Sequence, residues 1–300
     1  MQVLVTGGSG RLGRSVLAVL AERGHDVVSV DVDTTAAVPS GVSRRHLDLL
    51  DTEVVAEVFT QTRPEAVVHL AGIAVPFSAP DADILRINTC LAWTVLSAAI
   101  SHGARSAVAA SSPTVFGYGP QHWRPQRLPL DEDHPVAPCH SYGLSKVIIE
   151  ETVRTLARAH PGACALAAIR PGYVIAPEEW AGAPTQQGHT VLQRLEHPEL
   201  AAGSLFNYID AHDAGELFAM AIERPERLSP DQVLHAVADD ALARRPLAEL
   251  LPAYHPGTAE LADGLTGTAG AFATTAARAL GWRPRHSWRT RLGEPEPPAA

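Results

Sequence analysis

Thr6-Gly7-Gly8-Ser9-Gly10-Arg11-Leu12-Gly13 decides the fold, because it joins a strand-like run, Val3 to Thr6, to a helix that begins at about Leu12. Gly7, Gly10 and Gly13 stand where a dinucleotide resting on a helix N-terminus needs a tight turn, a close approach of the backbone to the diphosphate, and close helix packing. A second strand-like run, Asp26 to Asp31, ends on an acid. A carboxylate there accepts hydrogen bonds from the adenosine ribose and repels a ribose 2′-phosphate, so Asp31 points to NAD over NADP. Asp33 adds to that repulsion.

Outward from this turn, short β-rich runs alternate with amphipathic segments of helical length: Val67 to Leu70, a helix around Ile84 to His102, then Ala107 to Ser111. Such alternation predicts an α/β fold, a Rossmann-type doubly wound parallel sheet with helices on both faces. From about residue 172 the rhythm breaks into Pro- and Gly-containing stretches such as Ala176 to Gly188, with isolated helices near Asp213 to Glu223 and Thr274 to Leu280. A small irregular C-terminal substrate lobe is expected over the carboxyl edge of the sheet, where open α/β folds bind ligands.

Three hundred residues with 46% hydrophobic content suffice for a large buried core. The balance of 24 basic and 33 acidic residues, a net charge of −9, gives no footprint for nucleic acid or an anionic membrane. Cys90, Cys139 and Cys164 are odd in number and never paired as CxxC, which suits reduced thiols rather than disulfides or zinc. The chain opens directly on a strand, and its richest apolar stretch, Leu91 to Ile100, is too short to span a bilayer. The expected location is cytoplasmic.

Tyr142-Gly143-Leu144-Ser145-Lys146 sets a phenol and a cation one helical turn apart. The ammonium favours the phenolate, which is expected to lower the Tyr142 pKa toward that of a useful general base. Ser111-Ser112 ends the preceding strand, where a hydroxyl can hold the oxygen of a substrate.

Taken together, these segments resemble the extended short-chain dehydrogenase/reductase family, the NAD-dependent epimerase/dehydratase group, over almost the whole chain. VLVTGGSGRLG (3–13) is similar to its opening fingerprint, and HLDLLD (46–51) to its adenine-contacting segment, which implies Asp48 and Leu49 at the cofactor. VVHLAG (67–72) matches its fourth-strand motif, with Leu70, Ala71 and Gly72, and Asn88 its central-helix asparagine. AASSPTVFG (109–117) places the catalytic hydroxyl on Ser112, SYGLSK (141–146) supplies Tyr142 and Lys146, and IRPG (169–172) brings Pro171 beside the nicotinamide. YIDAHDAGELFAMAIE (208–223) resembles the segment near the substrate, and LGWRPRHSW (280–288) the usual close.

The resemblance implies an enzyme that oxidises a secondary alcohol by hydride transfer to NAD. Tyr142 is then the acid/base, Lys146 binds the nicotinamide ribose and lowers the Tyr142 pKa, and Ser112 positions the substrate oxygen. The cofactor set is Gly7, Gly10, Arg11, Leu12, Gly13, Asp31, Asp48, Leu49, Leu70, Ala71, Gly72, Asn88, Tyr142, Lys146 and Pro171. It also implies a homodimer through the helices containing Leu91 to Ile100 and Val147 to Leu156. The domain reading that follows is 1–171, an NAD-binding domain carrying the catalytic set; 172–293, mainly a substrate lobe with segments returning to the core; and 294–300, a tail expected to be disordered.

Two positions depart from the sugar-nucleotide pattern. Where epimerases place an asparagine after the sixth strand and an arginine before the helix-opening segment, this chain has Tyr173 and Phe206. Between Val174 and Leu205 only Arg194 is a fixed cation, a poor match to a diphosphate that attracts paired arginines. A smaller substrate is therefore expected: a free sugar, a sugar acid or a secondary metabolite, held by Ser112, Tyr173, and Trp123 and Arg124 of the 118–140 loop. The histidines show no metal-ligand spacing, and no metal is expected. A sugar-nucleotide epimerase or dehydratase with tightly held NAD, and a non-catalytic dinucleotide sensor, remain alternatives at this point.

Overall fold

The computed structural model describes residues 1–120, 122–230 and 232–295. The first half runs β1 (Gln2–Thr6), α1 (Arg11–Glu22), β2 (Asp26–Asp31), β3 (Ser43–His46), α2 (Thr52–Thr62), β4 (Ala66–His69), α3 (Asp81–Ser101), β5 (Ser106–Ala110) and α4 (Ser141–Ala159). Then come β6 (Ala165–Pro171), β7 (Val174–Ile175), short helices α5 (Pro177–Trp180), α6 (Val191–Glu196) and α7 (Glu199–Ala202), β8 (Ile209–Asp210), α8 (Ala211–Glu223) and β9 (Gln232–Ala236). Seven strands form one parallel sheet in the order β3-β2-β1-β4-β5-β6-β9, and β7 pairs with β8 in a separate ribbon.

The doubly wound arrangement follows from apolar residues on both faces of each strand. In β1, Val3 and Val5 enter one core with Val16 and Leu20 of α1 and Leu217 and Phe218 of α8, while Leu4 enters the other with Phe59 of α2, Leu96 of α3 and Val153 of α4. α3 is longer than its apolar run suggests, 21 residues, and by length and composition alone would pass for a membrane span. Its Ile84, Leu91, Val95 and Leu96 are instead buried, and the helix lies between α2 and α4.

Two strands end one residue earlier than the sequence suggests: β4 stops at His69 and β5 at Ala110, so Leu70 and Ser111 turn out of the sheet. β3 carries Arg44 and Arg45 on an exposed edge, with no apolar alternation to announce it. Residues beyond 172 serve two structures. β9 and α8 complete the sheet and its helical layer, whereas Val115, Phe116, Leu205, Phe206, Leu250 and Phe272 form a separate core. Glu294, assigned to the tail, is tied back by two hydrogen bonds from Arg244 at 2.6 and 2.7 Å; residues 296–300 lie outside the described residues.

A buried ion pair joins β6 to α4. Arg170 donates from Nε and Nη2 to the Glu150 carboxylate at 2.7 and 2.8 Å, and the Ser111 hydroxyl donates to Glu150 Oε1 at 2.6 Å. Arg170 Nη1 also donates to the Glu132 carbonyl and to His235 Nε2, each at 3.2 Å, while His235 Nδ1 donates to the Ala273 carbonyl at 2.8 Å. His235 is thereby neutral, its pKa pushed down to about 3 by burial and then by Arg170. Removing one partner of such a pair leaves a bare charge in the core. Arg170→Met is expected to cost about 3–5 kcal/mol, read as a fall in the urea midpoint; an unchanged midpoint would show that the pair contributes nothing.

Candidate active site

The carboxyl ends of β1, β4, β5 and β6 open into a cleft of about 530 Å³, lined at one end by Gly7, Gly10, Arg11, Leu12 and Gly13. Gly7 has φ +75°, and a Cβ there would lie 2.5 Å from the Ala71 nitrogen; one on Gly13 would lie 2.2 Å from the Gly7 carbonyl oxygen. Only glycine lets the turn pass this close. Gly10 is the N-cap of α1 and offers no side-chain cap, so the helix's first N–H groups and its dipole are left to an anion. Asp31 accepts from the Ser9 nitrogen at 2.9 Å, which holds its carboxylate beside the turn. The donors, the glycine cradle and the acid together fit a dinucleotide diphosphate and its ribose.

Leu70, Gly72, Lys146, Tyr142 and Pro171 also line the cleft. Five residues expected at the cofactor do not: Asp31, held beside the glycine turn by the Ser9 nitrogen, and the four that follow. Ala71 packs beneath Gly7 and donates its nitrogen to Thr6 Oγ1 at 3.3 Å. Asp48 accepts from the Leu50 nitrogen at 2.9 Å in a local turn, and Leu49 is buried against the second core. Asn88 spends its amide inside the protein: Oδ1 accepts from the Ile73 nitrogen at 2.7 Å, and Nδ2 donates to the Ile73 carbonyl at 3.1 Å and to Ser145 Oγ at 3.0 Å. It therefore anchors the loop after β4 to the first turn of α4.

Ser112, Tyr142 and Lys146 meet in this cleft. The first turn of α4 is fixed by His140, whose Nδ1 accepts from the Gly143 nitrogen at 3.0 Å; a Cβ on Gly143 would come within 2.9 Å of the Thr114 carbonyl. Lys146 Nζ donates to the Ala110 carbonyl at 3.0 Å and lies 5.4 Å from the centre of the Tyr142 ring. The Ser112 hydroxyl accepts from Thr114 Oγ1 at 3.1 Å and lies near enough to the Tyr142 phenol to favour its ionised form.

The expected lowering of the Tyr142 pKa is not found in this arrangement. Burial pushes the phenol up to about 12, with the Ser112 hydroxyl pulling it back only in part. Burial also brings Lys146 down to about 8, against the attraction of Glu150 one turn on.

The other end of the cleft is lined by Tyr118, Tyr173, Gln186, Gln187, Ser204 and Asn207. Trp123 and Arg124, expected to hold substrate, are absent from this lining. Trp123 is buried in the third core with Nε1 donating to the Phe116 carbonyl at 2.9 Å, and Arg124 Nη1 donates to the Trp123 carbonyl at 3.0 Å where Gly257 packs closely. Arg127 is likewise occupied, its Nε donating to Asp131 at 2.6 Å. Sequence reasoning misses Tyr118, Gln186, Gln187, Ser204 and Asn207. For Asn207 a signal exists, its place next to Phe206 in the segment that opens α8.

Among the described residues Asp210, Asp213 and His286 form the one cluster with metal-ligand proximity, yet each carboxylate oxygen already accepts from protein. The cluster clasps the C-terminal segment to α8.

The family model described as the NAD dependent epimerase/dehydratase family matches residues 3–236. The chain belongs to this family. Among curated relatives, the UDP-glucose 4-epimerase of Azospirillum brasilense is 35% identical over 165 residues, 53% of this chain and 45% of that protein. The chain spans about half the length of the curated relatives it matches. A UDP-glucose 4-epimerase of Thermus thermophilus solved with NAD superposes at a TM-score of 0.69 with 24% identity, covering 97% of each chain. A mutated uronate dehydrogenase superposes at 0.66 with 22% identity, covering 99% of this chain and 88% of that one. Both structures share the fold of this chain, a mostly parallel Rossmann-like sheet.

For this family member, Gly13→Ala is expected to abolish NAD binding while the protein still folds, and NAD is expected to bind more tightly than NADP because of Asp31. Equilibrium titration of both cofactors against wild type and variant checks this. NADP binding as tight as NAD, or NAD affinity surviving in Gly13→Ala, would contradict it.

Proposed function

We propose that this chain oxidises a secondary alcohol of a small polyhydroxylated molecule, with hydride passing to NAD and the hydroxyl proton to Tyr142. The observation that carries this is the convergence of Ser112, Tyr142 and Lys146 in the cleft that begins at the glycine turn. NAD, when bound, supplies the hydride acceptor for the carbinol carbon, and the protein supplies orientation and proton transfer. The glycine turn and α1 would hold the diphosphate, Asp31 the adenosine ribose, and Lys146 and Pro171 the nicotinamide end. Ser112 would hold the substrate oxygen within reach of the Tyr142 phenol. A catalytic set of this kind argues against a mere sensor, since binding a dinucleotide requires no phenol at the reacting end.

A second reading, net epimerisation or dehydration of a nucleotide sugar with NAD held throughout, is favoured by the relatives named UDP-glucose 4-epimerase. Against it stand Tyr173 in the cleft and Phe206 fully buried in the third core, at the positions where that chemistry places an asparagine and an arginine. Net NADH formation separates the two readings.

A cytoplasmic homodimer completes the proposal. Cys90 and Cys139 are exposed free thiols, suited to a reducing compartment. Trp93 on α3 and Leu144 on α4 are 50% and 41% exposed, which supports pairing through these helices. Sedimentation at micromolar concentration is expected to give a dimer, and Trp93→Glu a monomer; a monomeric wild type would reject the pairing.

Tyr142→Phe is expected to lower turnover on the order of 10² to 10⁴-fold with NAD affinity unchanged, Lys146→Ala to lower both, and Ser112→Ala chiefly the rate. Loss of the Lys146 proton leaves an amine that can take up the phenolic proton, and the resulting Tyr142 phenolate accepts the proton of the alcohol. The oxidation rate is therefore expected to rise with pH through the Lys146 value of about 8 and level off above it. Near wild-type turnover in Tyr142→Phe, with NAD bound normally, would place the proton acceptor elsewhere.

A further inference from the structure

Arg194 on α6 is 1% exposed, yet its partners are all neutral. Nη1 donates to Gln187 Oε1 at 2.6 Å, Nη2 to Ser204 Oγ at 3.4 Å, and Nε has no partner. Its guanidinium lies flat on the Tyr173 ring, 4.0 Å from the centroid. Glu179 attracts it through space without making an ion pair, and burial still pushes the Arg194 pKa down. Arg11 pairs with Glu179 at 2.5 Å and Arg14 pairs with Glu178, so two acids serve three arginines and Arg194 is left over. Among the described residues no carboxylate lies within 4.0 Å of it.

A buried cation without an ion-pair partner is costly unless a ligand completes it. What surrounds Arg194 faces the cleft: Tyr173, Gln187 and Ser204 all line it. Tyr173 is only 9% exposed, and its hydroxyl has no partner. Gln187 spends its carbonyl oxygen on Arg194, which turns its NH₂ into the remaining donor. One fixed positive charge behind two neutral donors matches a monoanion. A diphosphate would call for paired arginines in contact.

We propose that this end of the cleft is a carboxylate subsite, and that the substrate is a polyhydroxylated acid contacted by Tyr173 and Gln187 with Arg194 as its buried counter-charge. The inference rests on the reading of the cleft as an NAD-dependent alcohol-oxidising site and names its substrate class. Arg194 acts through Gln187 and Tyr173 and is a positioning residue.

The test is calorimetric titration of the NAD-saturated protein with galacturonate, glucuronate and gluconate, each against its neutral counterpart galactose, glucose or glucitol, and with UDP-glucose. At least one acid is expected to bind on the order of 30-fold more tightly than its neutral counterpart, and more tightly than UDP-glucose. Arg194→Met is expected to erase that preference, and Tyr173→Phe, which removes only a hydroxyl, to weaken the acid on the order of 10-fold. Should Arg194→Met fail to fold, Tyr173→Phe and the wild-type panel decide. The proposal is overturned if no acid binds, if neutral counterparts or UDP-glucose bind as well, or if folded Arg194→Met keeps the preference. An acid that binds without forming NADH sinks the oxidation reading and leaves the subsite standing; NADH formed best from a neutral sugar does the reverse.

Discussion

The Arg170–Glu150 ion pair is the constraint on which the site's geometry depends. Tyr142, Lys146 and Glu150 follow one another at four-residue steps along α4 and so share one face of the helix. Glu150 is clamped by two hydrogen bonds from Arg170 in β6 and a third from Ser111 at the end of β5. That clamp sets the register of α4 against the two strands whose ends supply Ser112 and Pro171. Asn88 pins the first turn of the same helix from the other side, through Ser145. The phenol and the ammonium thus reach the cleft from a helix held at both its first and third turns.

What was legible in the sequence is what depends on local chain geometry. The glycine turn, β1 and β2 declare themselves because a tight turn at Gly7 and an acid at Asp31 are spacings along the chain, and Tyr142 and Lys146 because a helical period brings them together. The rest depends on tertiary contacts. β3 is an exposed arginine-bearing edge, and β9 follows the irregular segments between β6 and α8, so its pairing with β6 depends on tertiary contact. Trp123 and Arg124 have the chemistry of ligand-binding residues, yet the loop folds onto its own core, which buries the Trp123 indole N–H against the Phe116 carbonyl and turns the exposed Arg124 onto the Trp123 carbonyl. Leu49 and Asn88 match family motifs; Leu49 packs into the second core, and Asn88 ties the loop after β4 to α4.

The same distinction governs the electrostatics. Spacing alone places a cation beside a phenol and implies a lowered pKa; in the folded protein both groups are buried, and desolvation favours their neutral forms. Burial brings the Lys146 ammonium to about 8 and leaves the Tyr142 phenol, at about 12, protonated, so an amine that can take up the phenolic proton forms first. At the end of the cleft away from the glycine turn, the lining among the described residues holds aromatic rings and amides, with the buried Arg194 guanidinium behind them.

The central claim is that a single cleft carries the dinucleotide from the glycine turn to the Tyr142 phenol. A crystal structure of the protein grown with NAD tests it most directly. The account predicts the diphosphate on the N-terminus of α1, the adenosine ribose against Asp31, and the nicotinamide ribose within hydrogen-bond reach of Lys146 and Tyr142. NAD bound outside the cleft, or bound with its nicotinamide away from Tyr142 and Lys146, would contradict it.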